Sequence, residues 1–217
     1  MKQFLLLPFL FAVSDRSWLA DQLDKVMQNR LQTPPMSENG MSPQLGMSRM
    51  VLPNSYGNHF SANPHNIRDF VPENENERAL LAQMEEQKLE VGLYLFGQAI
   101  VDQPYTNLNY RALKGPAIIT KGTKRPPLLA GLLESPAKSD PDVLPTWREA
   151  YPIGQRAMRS FLDGGHGFET KVGWWTIAAR PAIASDARCV SCHISSNESQ
   201  KIGEPIGGIL YAYKTRS

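Results

Sequence analysis

The feature that most constrains this chain is the run Cys189-Val-Ser-Cys192-His193, which holds both cysteines of a 217-residue sequence. Two thiols three residues apart, followed at once by an imidazole, match the requirements of c-type haem attachment. Each thiol adds to one vinyl group of the porphyrin, and the neighbouring histidine is held against the iron as an axial ligand. The spacing therefore predicts one covalent haem c, bound through Cys189 and Cys192, with His193 as the axial iron ligand. A chain of this kind must fold around a large rigid plate as well as around its own side chains.

Other uses of the same residues ask for partners that the sequence does not supply. A closed structural zinc site needs four ligands, and there is no second Cys-x-x-Cys. A redox dithiol normally opens a helix in a parallel α/β unit, and a structural disulfide has no use for His193. A non-haem dithiol or zinc protein is thus the lesser alternative. Small soluble cytochromes c place the motif early and take a second ligand from a downstream methionine, but the last methionine here is Met158. Cytochromes c-prime carry the motif late on a helix, whereas the flanks GWWTIAARP and IGGILYAYK are strand-like. The methionines at 36, 41, 47 and 50 are too irregularly spaced for a soft copper site.

Ahead of this motif the chain changes character several times. Lys2 precedes an apolar run from Phe4 to Val13, with Ala12 and Ser14 placed as a signal peptidase would read them, so residues 1–14 are expected to be a cleaved export signal. That run is too short to cross a bilayer, which takes about 20 apolar residues. The protein is accordingly expected to be periplasmic or otherwise exported, with no transmembrane segment. Residues 15–76 read as a short amphipathic helix, carrying Trp18, Leu19, Leu23, Val26 and Met27, followed by an irregular linker rich in Pro, Asn, Ser and Gly.

Residues 77–217 read as the folded domain. The strongest helical period runs from Glu75 to Gln103 and turns more apolar toward Pro104. A strand interrupted near Gly115 and Pro116 comes next. A helix then starts near Thr146 or Pro152 and ends at Asp163, Gly164 and Gly165. Phe168 to Arg180 and the IGGILYAYK stretch have β-branched and aromatic residues in partial alternation and read as two strands. The expected class is α+β, with the haem motif in the connection between two C-terminal strands.

The segments GLYLFGQAI, IAARPAI, CVSCH and IGGILYAY, in that order over Leu80 to Tyr213, resemble the DUF3365 family of c-type haem domains. The resemblance implies a PAS-like antiparallel sheet with a long N-terminal helix and flanking helices, either standing alone or sensing on behalf of a signalling protein. In that family a cysteine after the long helix can supply the distal ligand, and Ile100 to Pro104 contains none. The sixth position is therefore open between His166, His59, His65, Met84 and no protein ligand. Arg180 and Arg188 are candidate partners of the haem propionates, since planar guanidinium groups suit carboxylates. Trp174, Trp175, Tyr211 and Tyr213 are candidates to wall the haem, although alternation lets only half of them face it.

Charge excludes one class of partner. The 23 basic and 21 acidic residues leave a net charge of +2 and form no concentrated basic footprint, so nucleic acid is not an expected ligand. The run from Lys121 to Arg125 reads as a solvated loop. One-electron transfer or redox sensing is the leading expectation, through a redox partner or a separate signalling protein. An open distal side would instead make the chain a nitric oxide or carbon monoxide sensor, and a haem peroxidase is a third possibility. Hydrolytic motifs are absent.

Overall fold

The structure is a computed structural model that describes residues 17–32, 70–102, 113–126, 140–185, 187 and 201–216. The described elements are helices α1 (Ser17–Gln32), α2 (Glu75–Glu86) and α3 (Trp147–Leu162), and strands β1 (Leu89–Gly97), β2 (Leu113–Ile118), β3 (Phe168–Val172), β4 (Trp175–Ile183) and β5 (Pro205–Thr215). The strands form one antiparallel sheet in the order β2-β1-β5-β4-β3, so the last strand in the chain is the central one. The class is α+β, as the sequence indicates.

Alternation along the strands sends side chains to two cores. On one face Leu93, Leu95, Ala178, Ile209 and Tyr211 pack under Leu19, Leu23 and Met27 of α1 and Met84 of α2. On the other, Tyr94, Phe96, Ile177 and Leu210 pack under Tyr151, Met158 and Phe161 of α3. Strands β1 and β5 are consequently buried on both faces, and this explains the largest departure from expectation. The helix read from Glu75 to Gln103 stops at Glu86, Lys88 turns with φ 53°, and the chain continues as β1 and a short 3-10 turn, Gln98–Ile100. A strand covered on both sides is apolar at most positions on either face, as β1 is apart from Glu90, so helical periodicity can be read into it by accident.

A second departure is the stretch from Phe168 to Arg180, which folds as two strands rather than one. Val172 pairs with Trp175 across a two-residue turn in which Gly173 takes φ 56°, a conformation suited to glycine at the first turn position. By contrast α3 begins where Thr146 permits. The Thr146 N–H donates to Glu149 Oε2 at 2.7 Å, and the Glu149 N–H donates back to Thr146 Oγ1 at 3.4 Å. This reciprocal cap sets the start at Trp147 rather than Pro152, which lies inside the helix. Gly164, with φ 86°, follows its end.

Helix α1 is clamped to α2 by buried charge. Arg30 Nε donates to Glu77 Oε1 at 3.0 Å, and Nη2 donates to Glu77 Oε2 and, at 2.7 Å, to the Val71 carbonyl. The guanidinium also lies over the Phe70 ring, 4.3 Å from its centroid.

Candidate haem site

The CVSCH run lies in the connection from β4 to β5. Cys189, Cys192, His193 and Arg188 fall outside the described residues, as do His59 and His65, but both ends of the connection are described. Strands β4 and β5 are adjacent and antiparallel, from Thr176 opposite Tyr213 to Ile183 opposite Pro205. Beyond them the ladder continues, because the Ala184 N–H donates to the Glu204 carbonyl at 2.9 Å and the Gly203 N–H donates to the Ala184 carbonyl at 2.8 Å. A tight turn held by Lys201 N–H to Glu204 Oε2, 2.8 Å, completes the return. The connection therefore leaves and re-enters the sheet at one closed neck.

The neck is apolar inside, and its outer surface mixes exposed aliphatics with the exposed Ser185, Lys201 and Glu204. Ala182, Ala184 and Ile206 form a small buried cluster, while Ile183 and Ile202 are exposed, Ile202 at 61%. Single exposed aliphatics are ordinary on a protein surface; these two flank the connection that carries the motif. The adjacent glycines have a different cause. A Cβ on Gly208 would lie 2.3 Å from Phe96 Cζ and 2.8 Å from Phe161 Cε2, and one on Gly207 would lie 2.3 Å from the Phe96 carbonyl oxygen. These glycines make room for Phe96 and Phe161 rather than for a ligand.

Arg180 is three residues before the end of β4, about 10 Å along the strand. Its Nε and Nη2 donate to Asp21 Oδ1 at 3.1 and 2.8 Å, and Nη1 donates to the Ala179 carbonyl at 3.1 Å. The guanidinium is thus engaged by α1, and a propionate would have to share it with Asp21. Beside it, Gln28 Nε2 donates to the Pro181 carbonyl at 2.7 Å and the Tyr211 hydroxyl donates to Asp24 Oδ1 at 3.0 Å. Burial pushes the Asp24 carboxyl above its ordinary value, against the pull of Tyr211, Gln28 and Arg180. Burial and the nearby Asp24 hold the Tyr211 hydroxyl well above 10.0, so it stays a donor. This polar seam fastens α1 to β4 and β5, the strands on either side of the connection.

His166 is exposed in the turn before β3. Its neighbour Gly167, at φ 140°, abuts β4 so closely that a Cβ would lie 2.5 Å from the Ala179 carbonyl oxygen and 3.1 Å from Arg180 Nη1. The fold therefore brings the His166 turn and Arg180 to the same part of the sheet. Met84 is 1% exposed within the α1 and α2 core, on the helix that feeds the opposite end of β1. Packing accounts for it fully. Among the aromatic candidates, Trp175 is buried with Nε1 donating to the Pro141 carbonyl at 3.1 Å. Trp174 stands exposed on the β3-β4 turn, about 26 Å of strand from the neck. Tyr211 and Tyr213 point to the α1 face, where Tyr213 donates to Glu169 Oε1 at 3.1 Å.

An open groove of about 940 Å³ also lies between α1 and α2, lined by amides such as Gln22, Asn29 and Gln83 together with Trp18, Val26 and Leu80. Sequence reasoning missed the seam of Asp21, Asp24 and Gln28. Their spacing along one side of α1 was the available signal. Among the described residues no three His, Cys, Asp or Glu side chains cluster to hold a metal ion, and no described helix is long and apolar enough to cross a membrane. No protein-family model matches the chain, no curated protein is detectably similar to it, and no solved structure matches it.

Proposed function

We propose that this chain is an exported mono-haem c-type cytochrome with a PAS-like domain, serving one-electron transfer or redox sensing. The observation that carries the reading is the CVSCH run, standing in a connection whose ends close on each other beside exposed aliphatic side chains. A five-stranded antiparallel sheet with its last strand at the centre supports the PAS-like reading. Cys189 and Cys192 would hold the porphyrin through thioether bonds, and His193 would bind the iron. When bound, the haem supplies a one-electron couple whose potential is set by its axial ligands and burial.

The chain's own residues hold and orient. The neck fixes where both arms of the connection begin. Arg180, three residues before the end of β4 and shared with Asp21, offers one cation, and Arg188, the residue immediately before Cys189, offers a second. For the distal position His166 is the described candidate that remains accessible, Met84 being enclosed. The partner is a redox protein or a separate signalling protein.

The test is the intact mass and optical spectrum of the protein produced with a c-type maturation system. The wild type should carry one porphyrin that does not extract into acidified organic solvent. Cys189→Ala/Cys192→Ala should lose it, and His193→Ala should keep the covalent mass with an altered spectrum. A colourless wild-type chain of unmodified mass would overturn the proposal. Carbon monoxide added to the reduced protein separates its two forms: an unchanged spectrum means two protein ligands and electron transfer, whereas a shifted band means an open side and gas sensing.

A further inference from the structure

The sheet has an edge at β3, where among the described residues only one side of the strand is paired, by β4. In a two-residue hairpin the residues flanking the turn exchange both backbone hydrogen bonds, and the pattern then alternates along the ladder. With Val172 opposite Trp175, the bonded positions of β3 are Val172, Thr170 and Phe168. The N–H and C=O groups of Glu169 and Lys171 therefore face outward.

The sequence around this edge reads the same in both directions when chemistry replaces identity. About Thr170, Glu169 mirrors Lys171, Phe168 mirrors Val172 and Gly167 mirrors Gly173. The exposed His166 mirrors Trp174, which is 64% exposed. We propose that β3 pairs antiparallel with β3 of a second copy of this chain, about a two-fold axis through Thr170. In that register Glu169 of one copy and Lys171 of the other form hydrogen-bonded pairs, giving four backbone bonds and two cross-strand charge pairs. Phe168 meets Val172 on the α3 side, where Arg156 already covers the Phe168 ring at 4.6 Å.

Parity is what makes the register specific. A two-fold between residues would set an outward-facing group against an inward-facing one. An axis at Thr170 makes both outward residues meet partners of opposite charge. Shifting it by one residue to Glu169 or to Lys171 would place like charges directly opposite. Edge charges usually deter strand pairing, but here the two signs are ordered so that self-pairing sets each against its opposite, Glu169 keeping its bond from the Tyr213 hydroxyl. An unrelated acidic or basic strand would find one repulsive contact for each attractive one.

A five-residue ladder makes a small interface, so the dimer is expected to be weak and concentration-dependent, with half-dissociation in the range of about 1–100 μM. Sedimentation of the full chain over that range should show monomer and dimer. Lys171→Glu should raise the dissociation constant by about tenfold or more, because both charge pairs become repulsive. Glu169→Lys/Lys171→Glu should restore it to within about threefold of wild type. Lys171 is exposed and makes none of the side-chain bonds described above, so thermal melting of that variant should match wild type. A wild-type chain that is monomeric at 100 μM, a dimer indifferent to Lys171→Glu, or failure of the double reversal would each overturn the proposal; the last would point instead to a different strand as the occupant of the edge.

Discussion

Replacing Glu77 by glutamine removes one charge from the Arg30–Glu77 pair while keeping the shape of the side chain. Arg30 is 1% exposed and Glu77 3%, so neither can recover its lost partner from water. Arg30 would keep the Val71 carbonyl, the Phe70 ring and Glu73, whose Oε1 is 4.0 Å from Nη1. Breaking one half of a buried pair costs about 3–5 kcal/mol, and these remaining partners place Glu77→Gln near about 3 kcal/mol. With a urea slope of about 1–3 kcal/mol/M, the midpoint should fall by about 1–3 M. Arg30→Met/Glu77→Leu, which removes both charges, should unfold within about 1 kcal/mol of wild type or above it. The pH dependence has a definite sign. Burial pushes the Glu77 carboxyl up, but hydrogen bonds from Arg30 and from the Glu73 N–H outweigh it and leave it below its ordinary 4.5. A depressed carboxyl stabilises the fold above its unfolded value and loses that contribution as pH falls through the folded one. The gap between wild type and Glu77→Gln should therefore be full above pH 4.5 and close below it. A midpoint shift under about 0.3 M, or a double variant as weak as the single one, would refute this account of the clamp.

Asp24 carries the opposite sign. Its raised carboxyl means that the fold loses stability as pH climbs from 3.8, so Asp24→Asn, which keeps an acceptor for Tyr211, should flatten that slope and be relatively more stable at neutral pH in denaturant titrations. Gly208→Ala presses a methyl group onto Phe96 and Phe161, and thermal unfolding should register a loss of about 1–3 kcal/mol.

Legibility followed the range of the interactions. The presence of α1 and α3 and the end of α3 were readable because amphipathic spacing and the glycines after Asp163 act within a few residues, whereas the start of α3, open between Thr146 and Pro152, was decided by the Thr146–Glu149 cap of the folded chain. The end of α2 was not readable, since Lys88 and the apolar run after it carry no local mark separating a buried helix from a strand covered on both faces. Arg180 was singled out for its charge, but its engagement with Asp21, 159 residues away in the chain, could not be read from spacing. The same holds for Arg30 and Glu77, 47 residues apart.

The sequence by itself determined the chemistry on offer: two thiols and an imidazole in one short run, two strand-like segments around it, and helices marked by their amphipathic spacing. Only the tertiary structure decided that those segments are neighbours closing on a single neck, which faces Arg180 and Tyr211 look toward, and which strand is left at the edge. Covalent spacing and local hydrogen bonds belong to consecutive residues. Burial on two faces, charge pairing and strand order arise only when distant parts of the chain exclude water together.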